Sequence, residues 1–305
     1  MIRSLMSGVA GLKSQQIRMD VIANNIANVN TTSFKSGRVL FTELLSQNIR
    51  GNSTSQIGVN SINPAQVGLG VTVSAIDCLF GQGSLMATNR VLDLTVDGNG
   101  LFVLASFDPN DVQGGVVSDG AVPTKNFYTR DGAFYVNEAG YLVNSSGLYV
   151  LGNSQDIAPD LAAFDDTARA PIRLYDPTTH GLETIRITSD GGIWVTVYDD
   201  TGTRSSGYIG TIGLDNYPNP ENLMKLGFNL LEVPVDDQNV PTSTGWGAPE
   251  SGGRGKALSG NLEMSNVDLS TEFSNMIITQ RGYQASARVI TVSDDMLREL
   301  IDIKR

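Results

Sequence analysis

The residues able to do chemistry are few, and their spacing serves it poorly. Gly98-Asn99-Gly100 is the nearest approach to a phosphate-cradling loop. It lacks the third glycine at the required offset, and an apolar strand pattern follows where a helix N-terminus is needed. A β-turn is therefore expected. Asp108, Asn110 and Asp111 resemble a fragment of a calcium loop, but Pro109 interrupts them and no terminal Glu follows. The acid pairs Asp165-Asp166 and Asp294-Asp295 are adjacent in sequence, which does not set carboxylates on opposite sides of a substrate. A Ser–His–Asp triad has to use His180, the single histidine, in the turn-like run Pro177-Thr178-Thr179-His180-Gly181. No Gly-x-Ser-x-Gly elbow accompanies it. Cys78 is alone, so no internal disulfide forms and nothing resembles a zinc site. The expectation is a chain with no catalytic residue, no metal and no cofactor.

Composition bounds the architecture. With 305 residues there is room for two compact domains, or one with elongated extensions. The 33 glycines and only 17% charged residues favour a turn-rich β body over a helical bundle. A net charge of −11 excludes a nucleic-acid partner, which needs a basic face. The charge is uneven: residues 1–50 carry Arg3, Lys13, Arg18, Lys35, Arg38 and Arg50 against Asp20 and Glu43. Met1–Gly8 lacks the apolar run of a signal peptide. No stretch approaches the ~18 apolar residues of a membrane span, so no membrane insertion is expected.

Two amphipathic helices frame the chain. Leu5, Leu12, Met19 and Ile26 recur every seven residues, with Val9 and Ala23 flanking and Ile22 and Val29 beside them, a heptad seam interrupted at Gln16. Asn24, Asn25 and Asn28 sit where this helix weakens, and Asn30-Thr31-Thr32-Ser33 reads as its stop. At the other end Leu269, Met276, Tyr283, Ile290 and Leu297 form one seven-residue series. Phe273, Gln280, Ala287, Asp294 and Ile301 form its partner. Ser265-Asn266-Val267-Asp268 has capping-box spacing, and Leu269–Ile303 contains no proline and one glycine. Two narrow seams at opposite ends of one chain predict mutual, coiled-coil-like pairing that is also available to other copies.

Between the helices the period changes to two. Leu92, Leu94 and Val96 alternate with polar residues, predicting a half-buried strand. Phe134–Val136 and Tyr141–Val143 flank Asn137-Glu138-Ala139-Gly140 as a hairpin. Ile193, Val195 and Val197 mark another strand, and Tyr208–Leu214 one more. Residues 48–70 and 236–257 are rich in Gly, Ser, Asn, Gln and Thr and read as extended or weakly ordered links. The expected fold is mixed: paired terminal helices around a mainly β body, in nested, discontinuous domains. Its parts are a helical core of 1–34 and 266–305, links over 35–70 and 245–265, and a β-rich outer body over 71–244.

Specific strings then carry a resemblance. VIANNIANVNTTSFK (Val21 to Lys35), with Asn24, Asn25, Asn28, Phe34 and Lys35, is similar to the N-terminal motif of the flagellar axial proteins, the rod and hook family. The C-terminal motif is matched by Gly260 to Leu269, including Asn266 and Val267, and by Met276 to Gln284, including Gln280 and Arg281. Asp97–Phe102 resembles the family's Gly-x-Gly-Phe-Phe turn, with Leu101 in place of an aromatic. Tyr128-Thr129-Arg130-Asp131-Gly132-Ala133-Phe134 resembles its Tyr-Thr-Arg-x-Gly-x-Phe motif.

The resemblance implies a structural subunit, not an enzyme. It implies export through the flagellar type III apparatus to the cell exterior, and polymerisation into a helical tube. The partners are then further copies, other axial proteins (rod, hook cap, hook–filament junction) and the export apparatus. The terminal helices line the export channel, order on assembly and carry the contacts through Leu5, Val9, Leu12, Met19, Ile22, Ile26, Leu269, Phe273, Met276, Tyr283, Ile290 and Leu297. Chain length, the Leu262–Leu269 string and the closing Ile303-Lys304-Arg305 favour a torque-transmitting hook subunit, with a distal rod protein as the alternative. A rival of another class is a secreted β-domain that binds glycans on a platform of Trp194, Trp246 and tyrosines.

Overall fold

The computed structural model describes residues 2–51, 63–108, 112–113, 116–117, 123–158, 169–176, 180–199, 204–233 and 245–303. The fold is mixed, with a helix at each end and mainly β structure between. The chain divides into two compact units. Met1–Val29, Lys35–Leu79 and Val267–Arg305 form one, and Asn30–Phe34 with Phe80–Asn266 form the other.

The first unit contains α1 (Ile2–Ala27) and α2 (Leu269–Ile303), whose span is the proline-free run expected. Its cap differs from expectation. Asp268, not Ser265, takes the N-cap role, its carboxylate accepting from Ser270 N–H at 3.0 Å and Thr271 Oγ1–H at 2.6 Å. Asp268 sits one residue before the first helical turn, where orphan N–H groups need an acceptor. The Thr271 hydroxyl, then the Ser270 amide, hold this carboxyl below its ordinary pKa. At the end of α1, Asn28 Nδ2 donates to Asn24 O at 2.9 Å, closing the helix with a side chain. Ser33, five residues on, takes a left-handed backbone (φ 55°).

A β ribbon completes this unit. β1 (Gly37–Glu43) pairs antiparallel with β4 (Val71–Cys78), with a bulge between Leu40 and Phe41. β2 (Ser46–Arg50) pairs with β3 (Ala65–Gly68). The described parts of 35–70 are thus paired ribbon, not the unpaired link that composition suggested, and residues 52–62 lie outside the description. Val71–Cys78, read from sequence as the start of the outer body, counts with the helices. The ribbon packs on α1. Ser14 Oγ–H donates to Val71 O at 3.3 Å, and a Cβ on Gly70 (φ 126°) would sit 3.2 Å from Ala10 Cβ.

The second unit is built on one antiparallel sheet. Its main path runs His180–Ile187, Gly192–Asp199, Arg204–Ile212, Tyr149–Ala158, Leu101–Ser106, Lys125–Thr129, Leu230–Glu232 and Met224–Gly227. The pleat sorts side chains between two cores. Phe102 and Leu104 join Leu94, Phe134, Val150, Ile193, Val195, Val197 and Ile212, while Leu101, Val103 and Ala105 join Tyr128, Tyr141, Leu151, Tyr217 and Trp246. Burying both faces explains why Leu101–Ala105 reads as a continuous apolar run.

Several sequence expectations change here. Leu94–Asp97 is not half-buried, since Leu94, Thr95 and Val96 are all 0% exposed. His180 opens the strand His180–Ile187 and does not sit in a turn, pairing with Asp199 across the ladder. Part of 236–257 is structured: Trp246–Gly247 pairs with Leu214–Asp215, and Lys256–Ser259 with Leu94–Asp97. Residues 234–244 are outside the description, as are Asn110, Asp111, Asp165 and Asp166. The Phe134–Val136 and Leu142–Asn144 hairpin forms as expected. In its turn Tyr141 N–H donates to Asn137 Oδ1 at 2.7 Å, and Gly140 takes φ 83°.

Candidate assembly interface

Two constellations stand out, one in each unit. The first is the antiparallel contact of α1 with α2. Ser4 Oγ lies 3.4 Å from Ser293 Oγ, Arg18 Nη2 donates to Asn275 Oδ1 at 3.5 Å, and Asn25 Nδ2 to Glu272 Oε1 at 3.3 Å. Small residues let the backbones approach. A Cβ on Gly8 would sit 3.1 Å from Ile290 Cγ1, one on Gly11 3.0 Å from Ser286 Oγ, and one on Gly282 3.1 Å from Gln15 Nε2. The hydroxyls in this seam spend their hydrogens on their own helix. Thr279 Oγ1 donates to Asn275 O at 2.7 Å, Ser286 Oγ to Gly282 O at 3.0 Å, and Ser293 Oγ to Val289 O at 2.7 Å. Thr279 and Ser293 can therefore be 0% and 2% exposed without a stranded donor.

The sequence reading had assigned the seam to the large apolar residues. Leu5, Val9, Leu12, Met19, Ile26, Met276, Ile290 and Leu297 are half-buried, Ile22 is buried, and Leu269, Phe273 and Tyr283 are exposed. What the reading missed was a small-residue seam at the same spacing: Ser4 and Gly11 on α1, and Thr279, Ser286 and Ser293 on α2. That signal was legible, because a seven-residue series of Ser, Thr and Gly marks close backbone approach as surely as one of Leu marks a knob.

The large apolar side chains of α2 remain open to solvent. Val289, Val292, Met296, Leu300 and Ile303 are 44%, 54%, 44%, 51% and 82% exposed. Their spacing places them on one face. Phe273 and Ile277, exposed at 50% and 52%, form a second group nearer the start.

The N-terminal motif residues have concrete tasks. Asn25 is 1% exposed; its Nδ2 donates to Gly37 O and its Oδ1 accepts from Gly37 N–H, both at 2.9 Å. It thereby clips the start of β1 onto α1. Lys35 is buried, and its carbonyl accepts from Cys78 Sγ at 3.8 Å. Gln280 and Arg281 are exposed on α2, and Val267 is half-buried just before it.

The second constellation gathers the internal motif with two short segments distant in sequence. Arg130, inside the body, faces Glu263 at 3.7 Å, and their side chains are 8% and 0% exposed. Its guanidinium also donates to Gly98 O at 2.7 Å and Val96 O at 3.4 Å, tying down the Gly98-Asn99-Gly100 turn. Burial lowers the guanidinium pKa, and the Glu263 charge opposes that shift. Glu263 Oε1 accepts from Gly83 N–H at 2.9 Å. Gly132 packs directly under Leu94 O, leaving no volume for a Cβ.

Around this pair, Ser33 Oγ–H donates to Arg130 O at 2.8 Å, and Ser33 N–H to Glu263 O at 2.8 Å. Thr32 Oγ1–H donates to Asp131 at 3.2 Å. Asn266 N–H reaches Phe34 O at 3.3 Å. Thr129 Oγ1–H donates to Asn229 O at 2.9 Å, and Asn229 Nδ2 to Thr32 O at 2.8 Å. Phe34 lies beneath Lys225 Nζ, 5.3 Å from the ring centre, and Tyr128 packs edge-on against Tyr217. Pieces of three motif strings, Thr32–Phe34, Thr129–Gly132 and Glu263–Asn266, thus meet in one polar cluster around the buried Arg130–Glu263 pair.

A glycan platform does not appear at the tryptophans. Trp246 is 4% exposed with Arg169 over its ring, and half-buried Trp194 packs against Tyr208. Among the described residues no group of His, Cys, Asp and Glu is arranged to hold a metal, and no helix is long and apolar enough to cross a membrane.

Comparison with known proteins accounts for these features. Residues 5–35 match the family "Flagella basal body rod protein", residues 116–195 "Flagellar hook protein FlgE/F/G D1 domain", and residues 258–303 "Flagellar basal body rod FlgEFG protein C-terminal". The chain is 37% identical over 308 residues to the flagellar basal-body rod protein FlgG of Bacillus subtilis, covering 100% of both chains. It is 31% identical over 310 residues to the FlgG of Borreliella burgdorferi, again covering both chains fully. It is 27% identical, over an alignment of 481 residues covering both chains fully, to the flagellar hook protein FlgE of Treponema pallidum. Its matched ends hold the paired helices, with Ser33 and Glu263, and its matched centre holds Arg130, and the chain belongs to the rod and hook protein family of the bacterial flagellum.

Proposed function

We propose that this chain is a structural subunit of the flagellar rod, in the distal rod position, and that it performs no catalysis. The observation that carries the reading is the full-length match to a rod protein at 37% identity over 308 residues, a length almost equal to its own. Alignment to the hook relatives extends over 481 and 449 residues, so this body lacks much of what they contain. The hook assignment favoured by the closing string and overall length gives way on that ground.

The mechanism is mechanical. Copies join by heterologous contacts whose rotation does not close, so they add into a helical tube. The exposed apolar faces of α2 supply surface that a lone subunit leaves in water, in the manner of an unsatisfied interface. The terminal helices surround an export channel, and the β body forms the outer layer that resists torsion. The partners are copies of itself, neighbouring axial proteins above and below, and the type III export apparatus that delivers it to the cell exterior.

Immunogold microscopy of isolated hook–basal bodies, with an antibody against the β body, tests this. Label confined to the straight shaft supports the rod reading. Label along the curved segment makes the protein a hook subunit, and no label on either overturns an axial role.

A further inference from the structure

We propose that a clasp in the β body, where Ser33–Phe34 and Glu263–Asn266 bind one another, sets the register in which α1 and α2 of the same chain pair. The device belongs to a single chain and works wherever in the flagellum that chain sits.

The helix seam does not fix its own register. Ser4 meets Ser293, and Gly11 meets Ser286. A slip of seven residues sets Ser4 opposite Ser286 and Gly11 opposite Thr279, small residues again. The apolar series repeat at the same interval, Leu5, Leu12 and Met19 on α1 and Tyr283, Ile290 and Leu297 on α2, so a slipped pair covers similar surface. The hydroxyls of Thr279, Ser286 and Ser293 donate within α2 and stay satisfied in either register. Three polar contacts across the seam would break on slipping. Ser4 to Ser293 is 3.4 Å, Arg18 to Asn275 3.5 Å and Asn25 to Glu272 3.3 Å, all long for hydrogen bonds.

The clasp, by contrast, is tight and specific. Ser33 N–H donates to Glu263 O at 2.8 Å, and Asn266 N–H to Phe34 O at 3.3 Å, joining segments from opposite ends of the chain. The body grips the same strap from three sides. Ser33 Oγ–H donates to Arg130 O and Asn229 Nδ2 to Thr32 O, each at 2.8 Å, while Thr32 Oγ1–H donates to Asp131 at 3.2 Å. Ser33, 6% exposed, keeps φ 55° there. A left-handed non-glycine residue persists where its surroundings over-determine it.

Short connections carry the clasp's geometry to the helices. α1 ends at Ala27 and the strap begins at Asn30; α2 begins at Leu269, just beyond Asn266. After α1 the chain is folded back on itself, with Asn28 N–H to Asn24 O at 3.2 Å, Val29 N–H to Ile26 O at 3.3 Å and Phe34 N–H to Thr31 O at 3.4 Å. On the other side Asp268 caps α2 directly. A seven-residue slip moves one helix by about 10 Å, which is about the full extension of three residues. Slipping therefore has to break these turn bonds or open the clasp. A tether this short favours the one register that it spans.

Disulfide trapping in the purified full-length chain tests this, in a Cys78→Ser background and a glutathione redox buffer, scored on the monomer band of a non-reducing gel. Ser4→Cys with Ser293→Cys reports the observed register, and Ser4→Cys with Ser286→Cys reports the slip. The first pair should close at an effective concentration at least about ten-fold above the second. A Gly-Ser-Gly-Ser insertion between Val29 and Asn30 lengthens the tether without touching clasp or body, and should cut the preference to about two-fold. Thr32→Val with Ser33→Ala loosens the clasp itself and should act the same way, with tryptophan fluorescence showing that the body stays folded. A preference that survives the insertion means that the seam sets its own register, and overturns the proposal. Equal closure of the two pairs in the parent chain, or closure of neither, also overturns it.

Discussion

Replacing Arg130 with Met should destabilise the β body more than any exposed substitution can. Arg130 and Glu263 are buried together at 3.7 Å, and the Glu263 side chain is fully enclosed. Removing the guanidinium leaves a carboxylate inside the protein without its cation, a change worth about 3–5 kcal/mol. The Gly83 N–H, 2.9 Å from Oε1, stays in place but carries no charge to replace it. Arg130 also loses its bonds to the carbonyls of Val96 and Gly98, the latter in a turn that water can reach.

A Glu263→Gln change in the Arg130→Met background removes the stranded charge while keeping an acceptor for Gly83. The double variant should recover about 2 kcal/mol relative to Arg130→Met alone, the coupling expected when residues share one network. Urea unfolding followed by tryptophan fluorescence reads this directly, because Trp194 and Trp246 both lie in the body. A loss below about 1 kcal/mol for Arg130→Met, or coupling below about 0.5 kcal/mol in the cycle, would refute the view of this pair as a buried structural charge.

Three further outcomes follow from single positions. Gly132→Ala places a methyl against Leu94 O, in a stretch where Leu94 N–H donates to Gly132 O at 3.0 Å. The variant should lose more than about 3 kcal/mol or accumulate insolubly, and a near-wild-type melting temperature would contradict the packing. Phe228 holds φ 52° at 86% exposure between Gly227 and Asn229, a left-handed position that costs a bulky residue about 1 kcal/mol. Phe228→Gly should therefore raise stability by up to that amount, and a clear loss would show that the ring makes contacts that burial does not reveal. Burial raises the Asp131 pKa above its ordinary value, with hydrogen bonds to Ala133 and Thr32 opposing. The folded state then binds its proton more tightly than the unfolded state. The stability this group contributes is present below its unfolded value, about 4, and is lost as pH rises through the folded one. Asp131→Asn should gain on wild type across that rise, and a pH-independent difference would show that Asp131 titrates normally.

Local signals in the sequence determined the ends of this protein. The proline-free run of 35 residues is α2, and the asparagines after Val21 mark where α1 stops. Period-two alternation and Asn137–Gly140 located strands and a turn, because pleat and turn chemistry act over a few residues. The motif strings also identified the family, which comparison of the whole chain bears out.

Tertiary structure decided what those signals could not. The described parts of 35–70 read as a link and residues 71–78 as the start of the β body, yet together they form a ribbon because α1 gives them a surface to pack on, which no local propensity records. Leu94–Asp97 has the alternation of a half-buried strand, but pairing with Lys256–Ser259 and the Gly132 backbone lying over Leu94 bury both faces. Asn25, Arg130, Gly132 and Glu263 appeared in sequence as pieces of separate strings. Their roles, one clipping a strand and three closing a buried cluster, arise from contacts between separate segments, from Asn25 to Gly37, Arg130 to Glu263 and Gly83 to Glu263 among them. The closest approaches between the helices fall at Gly8, Gly11, Gly282 and Ser286, where small residues leave room that a larger side chain would fill. Val289, Val292, Met296 and Leu300 lie off that line and stay exposed, whereas Met276, Ile290 and Leu297 are half-buried.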